Sequence, residues 1–208
     1  MTALLANGVA ALLAVGVALL LKPWRCLDRT GPPGPWFLAW ALVPLLWGLD
    51  RYAAIPLLPP WSGAALLVLL TGWPLAVIAF VPIAVVTVLL GVMGWIEGLH
   101  RLVWLGVVPA TFVLLIGAGL RRWLPRHLFV YIFGRGFLGT LLASLLTTTA
   151  ALVLHEGPGQ AGGPDLLVAQ VLMGFSEAFL TGLLIASLVA FRPHWLATYT
   201  DRLYLPAD

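Results

Sequence analysis

The chain has 208 residues, of which 62% are hydrophobic and only 9% charged, and its mean hydropathy is +1.04. A soluble domain is nearer half apolar and a quarter charged, so a water-soluble enzyme and a DNA-binding module are both excluded. The formal charge of +3 points to membrane orientation and not to nucleic acid, because basic residues in a membrane protein mostly fix which way it faces.

The expectation is a polytopic all-α membrane bundle. At about 20 residues per spanning helix, the length suits a single integral membrane domain, residues 1–208, with six or seven helices and short loops. The one cysteine, Cys26, excludes an internal disulfide and any multi-cysteine metal site.

The first apolar run covers residues 2–21. No basic stretch precedes it and no small-residue cleavage site follows it, so a retained span is expected in place of a removed leader. A second run, residues 36–49, closes on Asp50-Arg51. Residues 55–96 are apolar for longer than one helix needs, and are interrupted by Pro56, Pro59-Pro60 and the TGWP break of Thr71 to Pro74. Proline next to glycine breaks a helix. This stretch is therefore either one kinked span or two spans joined by a tight turn. Clearer runs follow at residues 102–120, 127–154 and 166–191.

The basic residues choose between the counts. Lys22, Arg25 and Arg29 follow the first span, Arg121, Arg122 and Arg126 follow the run ending at 120, and Arg192 and Arg202 follow the last. Splitting the long run at TGWP gives seven spans and puts all three groups, eight of the eleven Lys and Arg residues, on one face. Lys and Arg excess marks the cytoplasmic side. The expected topology is seven spans in a bacterial inner membrane, with the N-terminus outside and the C-terminus cytoplasmic. The third span, about residues 55–71, is short and proline-rich, and a half-helix sheltered from lipid is its alternative.

Two ionisable residues fall inside spans, Arg135 in FGRGF and Glu177 in GFSEAF. A charge in the bilayer core costs at least about 2.5 kcal/mol on insertion scales, so it pairs or faces a cavity. Counted from the cytoplasmic ends, Arg135 lies about 12 Å deep and Glu177 about 21 Å. A salt bridge between the sixth and seventh spans, a polar substrate or ion path, and snorkelling of Arg135 are the three readings. No span carries a histidine near its middle, which disfavours a b-type haem, and no cofactor is expected.

His155-Glu156 in the loop HEGPGQAGGPD are weak metal candidates, to which Asp50 and Glu97 could add oxygens. No GxSxG and no P-loop motif is present, so an enzyme is not expected. Trp24, Trp36, Trp61, Trp73, Trp95, Trp123 and Trp195 fall near span ends, as an aromatic belt does. Gly134, Gly136, Gly139 and Ala143 permit close helix approach.

Three segments together carry a resemblance: WSGAALLVLLTGWPLAVIAF, LPRHLFVYIFGRGFLGTLLA and FSEAFLTGLLIASLVAFRPHWLATYTDRLYL. They resemble proteobacterial energy-coupling-factor ABC transporter permease-like proteins, distant relatives of the CbiM-type cobalt/nickel permeases. Glu177, Thr181 and Gly182 match a "GEG-x-x-TG" pattern of the last span, and Gly63-Ala64 with Gly72-Trp73-Pro74 match a "GA…LL-x-GP" pattern. The resemblance implies seven spans. It also implies metal-binding histidines at position two and just before the "GA" element, where this chain has Thr2 and Pro60-Trp61-Ser62.

The function these readings imply is a substrate-binding or permease-like subunit of an energy-coupling-factor-type transporter, with a transition-metal ion as the candidate substrate. Its partners would be the lipid bilayer and other membrane subunits, with ATPase and scaffold components among them. The rival is a non-catalytic accessory subunit that packs against a larger membrane complex. Glu177, Arg135 and Thr181 are the expected path residues, and Gly63, Gly72, Pro74 and Gly182 the expected structural motif.

Overall fold

The computed structural model describes residues 2–23, 34–52, 59–125, 127–154, 163–200 and 204, and among these every regular element is helical. In hydrocarbon each backbone N–H and C=O needs a partner within the chain, and a helix supplies one to all but its ends. The runs α1 (Thr2–Leu20), α2 (Gly34–Trp47) and α5 (Trp73–Leu89) are apolar on every face. That pattern belongs to helices surrounded by lipid or by other helices.

Among the described residues, three helices are long and apolar enough to cross a membrane: Trp95–Trp123, Val130–Val153 and Asp165–Phe191. The first joins α6 (Trp95–Arg101) to α7 (Val108–Trp123) through a π-helical stretch, Leu102–Val107. The second begins with a π-helical stretch, Val130–Leu138, and continues as α8 (Gly139–Val153). The third is α9 (Gly163–Phe191).

The expected break at TGWP is present: α4 (Ala64–Thr71) stops, Gly72 takes φ +81°, and α5 starts with Pro74 in its first turn. The third span is not a full helix. Pro59 to Gly63 is non-helical, and α4 has eight residues, about 12 Å of rise against a hydrocarbon layer of roughly 30 Å. The half-helix alternative is the one the fold adopts, because Pro59 and Pro60 deny the chain two backbone donors just ahead of it.

A second boundary also differs from the sequence reading. Helix α5 ends at Leu89, Gly91 turns the chain at φ +74°, and Trp95 to Arg101 opens the next span.

Helix α5 is the hub, with Ala76, Val77, Ala79, Phe80 and Ile83 buried completely. Phe80 stacks on Trp47, ring centroids 6.0 Å apart, and Gly106 gives it room, since a Cβ there would lie 2.8 Å from the Phe80 ring.

At one end of the bundle α3 (Leu49–Tyr52) meets α6. Arg101 bonds Asp50 at 2.6 and 2.8 Å and Glu97 at 2.7 Å, and also reaches the Trp47 carbonyl. Arg51 adds a 2.9 Å contact to Glu97. The end carrying Arg121 and Arg122 is closed by the segment after α9, where Leu196, Tyr199 and Tyr204 are buried against Leu69, Leu70 and Tyr131.

The tryptophans divide. Trp95 and Trp123 are 64% and 82% exposed, as anchors should be. Trp36, Trp61 and Trp73 are drawn into the bundle instead, where Trp36 donates to the Leu75 carbonyl and Trp73 to the Thr111 hydroxyl. Trp24 lies outside the described residues.

Candidate functional site

Glu177 stands at the centre of α9, fourteen residues from Gly163 and fourteen from Phe191, or about 21 Å from either end. It is 4% exposed. Its partners are the backbone donors that open the half-helix: Gly63 N–H donates to Oε1 at 2.9 Å and Ser62 N–H to Oε2 at 3.3 Å.

The first donors of a helix have no partner within it, and a carboxylate there is favoured by the helix dipole. Ser62 completes the cap. Its Oγ accepts from Ala64 N–H at 3.1 Å and donates to the Leu105 carbonyl at 2.7 Å, inside the first π-helical stretch. Its own carbonyl accepts from Trp47 Nε1 at 2.9 Å. Gly63 has φ +68°, and a Cβ on it would meet Val43 at an ordinary 3.6 Å. Backbone conformation, not space, selects glycine there.

The far end of α4 is held by the chain that follows α9. Ala197 N–H donates to the Leu70 carbonyl and Thr198 Oγ1 to the Leu69 carbonyl, both at 2.9 Å. Tyr131 OH donates to Thr198 Oγ1 at 2.8 Å.

Arg135 belongs to this second cluster. It is 6% exposed, donates to the Thr198 carbonyl at 3.3 Å and to Tyr204 OH at 3.5 Å, and lies 5.4 Å from the Tyr131 ring centroid. Gly117 opposite leaves space for it, since a Cβ would come within 3.1 Å of the guanidinium. Arg135 and Glu177 therefore form no salt bridge. Each secures a different end of the half-helix.

Thr181, one turn along α9 from Glu177, is buried. With Gly63 and Glu177 it borders an apolar groove of about 290 Å³ between α2, α4 and α9. Gly182 lets α9 cross the second π-helical stretch closely, where a Cβ would sit 3.2 Å from that of Phe137.

On the other side of Glu177 lies a cavity of about 110 Å³. It is lined by Ser62 and Trp104, by Ser144, Thr147 and Thr148 of α8, and by Gln170 and Glu177 of α9. Of these the sequence reading named Glu177 as a path residue and Ser62 only at the implied histidine position, and it missed the rest. The signal was present, however: 144, 147 and 148 share one face of α8, and 170 and 177 share one face of α9. Gly174 brings the two faces together, with Ser144 Cβ 3.0 Å from where its own Cβ would be. The indole N–H of Trp104 is buried and without a partner among the described residues.

Among the described residues, no group of three or more His, Cys, Asp and Glu side chains assembles. His155 and Glu156 lie outside them, while Asp50 and Glu97 are taken up by Arg101 and Arg51.

Residues 61–195 match the family model of the cobalt uptake substrate-specific transmembrane region, CbiM. The chain belongs to the CbiM family. No curated protein and no solved structure matches it. The CbiM match begins two residues before Gly63 and takes in α4, the chamber-lining faces of α8 and α9, Glu177 and Arg135. The chain is accordingly a multi-pass membrane protein of a transporter family. At the position just before Gly63, where the resemblance implies a histidine ligand, Ser62 uses its hydroxyl to cap α4.

Proposed function

We propose that this chain is the substrate-binding membrane subunit of an energy-coupling-factor-type uptake transporter, a single membrane domain working with ATPase and scaffold subunits. The observation that carries the reading is the chamber beside Glu177, a largely apolar cavity at mid-helix depth with a patch of hydroxyls and one charged lining residue among those described, that carboxylate. Buried ionisable groups within spans are costly and mark substrate or ion paths.

Arg121, Arg122 and Arg192 follow or close spans whose ends lie away from the chamber. With basic residues inside, the bundle sits in a bacterial inner membrane with the chamber facing out and the C-terminus in the cytoplasm. Glu177 receives the cargo, Thr181 is the next polar group along α9, and Arg135 holds the tail that closes the cytoplasmic end.

The test is purification from native membranes in mild detergent, followed by mass spectrometry of the accompanying chains and an uptake assay. Recovery with an ATPase and a scaffold subunit, and uptake lost in Glu177→Gln, support the reading. Recovery inside a respiratory or photosynthetic assembly overturns it and leaves an accessory bundle.

A further inference from the structure

We infer that the cargo of the chamber is a divalent cation of the magnesium or manganese type, held by oxygen atoms while keeping part of its water shell, in place of cobalt or nickel on nitrogen ligands. The inference rests on the chamber being the substrate site.

Charge comes first. The described lining holds one carboxylate and no basic side chain, so an anion would be repelled at a depth where screening is weak. Ligand chemistry comes next. The available groups are the Glu177 carboxylate, the hydroxyls of Ser144, Thr147 and Thr148, and the Gln170 amide, with no imidazole and no thiol among the described lining residues. Such oxygen sets suit magnesium, calcium and manganese, whereas imidazole and thiolate select the later transition metals.

The carboxylate is also prepared to bind. Its two oxygens offer about four lone-pair positions, of which the N–H groups of Ser62 and Gly63 fill two and fix the plane of the group. The remaining positions are left for cargo or its waters.

Size points the same way. One water needs roughly 10–15 Å³ of such space, so about 110 Å³ admits an ion with several waters. Magnesium dehydrates reluctantly and is typically held by one or two carboxylates with waters retained.

The half-helix sets the strength. Its N-terminus carries about half a positive charge, which offsets part of the carboxylate and keeps binding weak enough for release, as passage across a membrane requires.

The experiment is Mn²⁺ binding, read by electron paramagnetic resonance, to the whole chain in lipid nanodiscs. One Mn²⁺ per chain is expected. Mg²⁺ should displace it, and Co²⁺ and Ni²⁺ should show less than about a hundredfold advantage over Mn²⁺, since carboxylate, carbonyl and water ligands suit magnesium and manganese. Glu177→Gln should weaken binding at least about tenfold, as loss of a charged ligand does.

Because Glu177 also caps α4, Thr148→Val and Gln170→Leu are measured beside it. Each should weaken binding about two- to tenfold, the scale of one hydrogen bond, with an unchanged melting temperature. Absence of Mn²⁺ binding, binding untouched in all three variants, displacement by methylammonium, or a hundredfold preference for Co²⁺ or Ni²⁺ overturns the inference. No partner subunit enters this assay. A failure here is therefore separate from a failure to recover the ATPase and scaffold.

Discussion

The Glu177 carboxylate lies 2.9 Å from the Gly63 N–H, tying the centre of α9 to the first turn of α4 across 114 residues of chain. The residues that follow α9 return to the other end of the same half-helix, through Ala197 and Thr198. An eight-residue helix does not persist by itself, so α4 exists in the bilayer because one helix and its extension satisfy both of its ends. The half-helix is a rod about 12 Å long, joining the Glu177 clasp beside the chamber to the clasp made by Ala197 and Thr198.

Removing the Glu177 side chain strands two backbone donors in a region poor in water, at about 1–3 kcal/mol each. Glu177→Ala is expected to destabilise the protein by about 2–5 kcal/mol, and Glu177→Gln, which keeps one acceptor oxygen, by roughly half as much. Thermal unfolding in detergent micelles measures the difference. Equal melting temperatures for wild type and Glu177→Ala would mean that the two N–H groups are satisfied elsewhere.

Much of this arrangement could be read from residue types. The apolar runs and the glycine–proline break gave the helices and the turn at Gly72, and Glu177 drew notice because a carboxylate in a span needs a reason to be there. Its partner stayed hidden. A backbone N–H is carried by every residue except proline, so nothing in Ser62 or Gly63 announces a donor, whereas Arg135 offered a visible opposite charge and suggested the wrong pairing. The α8 hydroxyls escaped notice for a related reason. A serine or threonine within a span can return its proton to its own helix, as Thr147 does to the Ala143 carbonyl, so its presence alone does not signal a cavity.

Two glycines should respond differently to alanine. At Gly63 the cost is the left-handed backbone, about 1–2 kcal/mol for a residue with a Cβ, and Gly63→Asn should recover part of it because asparagine tolerates that region. At Gly106 the backbone is helical and the cost is a clash with the Phe80 ring. Gly106→Ala should lose about 1–3 kcal/mol by overpacking, with much of it restored in the double variant Gly106→Ala/Phe80→Leu. A coupling near zero in the cycle completed by Phe80→Leu alone would move the cause away from Phe80.

Stability should fall at acid pH through Asp50. Burial pushes its pKa up, but the Arg101 hydrogen bond and the charges of Arg101 and Arg51 outweigh burial and hold it below the ordinary 3.8. With the folded value under the unfolded one, this stabilisation is complete above about pH 4 and disappears as pH drops through the folded value. Asp50→Asn should cost about 1–3 kcal/mol at neutral pH. That is less than the 3–5 of a fully broken buried pair, because Glu97 still faces Arg101. Melting temperatures from pH 7 to 3 should then fall less steeply in Asp50→Asn than in wild type, and parallel curves would assign the acid loss to other groups.

The tail clasp can be tested without touching the chamber. Thr198→Val removes the bond to the Leu69 carbonyl and the acceptor of Tyr131 OH, two interactions of about 1 kcal/mol each. Arg135→Lys shortens the reach to the Thr198 carbonyl and Tyr204 OH and abandons the planar contact with Tyr131. Hydrogen exchange should rise in both variants at residues 196–199 and in the last turn of α4, where Leu69 and Leu70 lose their caps. If exchange rises in the tail alone, the last turn of α4 is held by its own helix, through Thr71 and Gly72, and the clasp is not what secures that end.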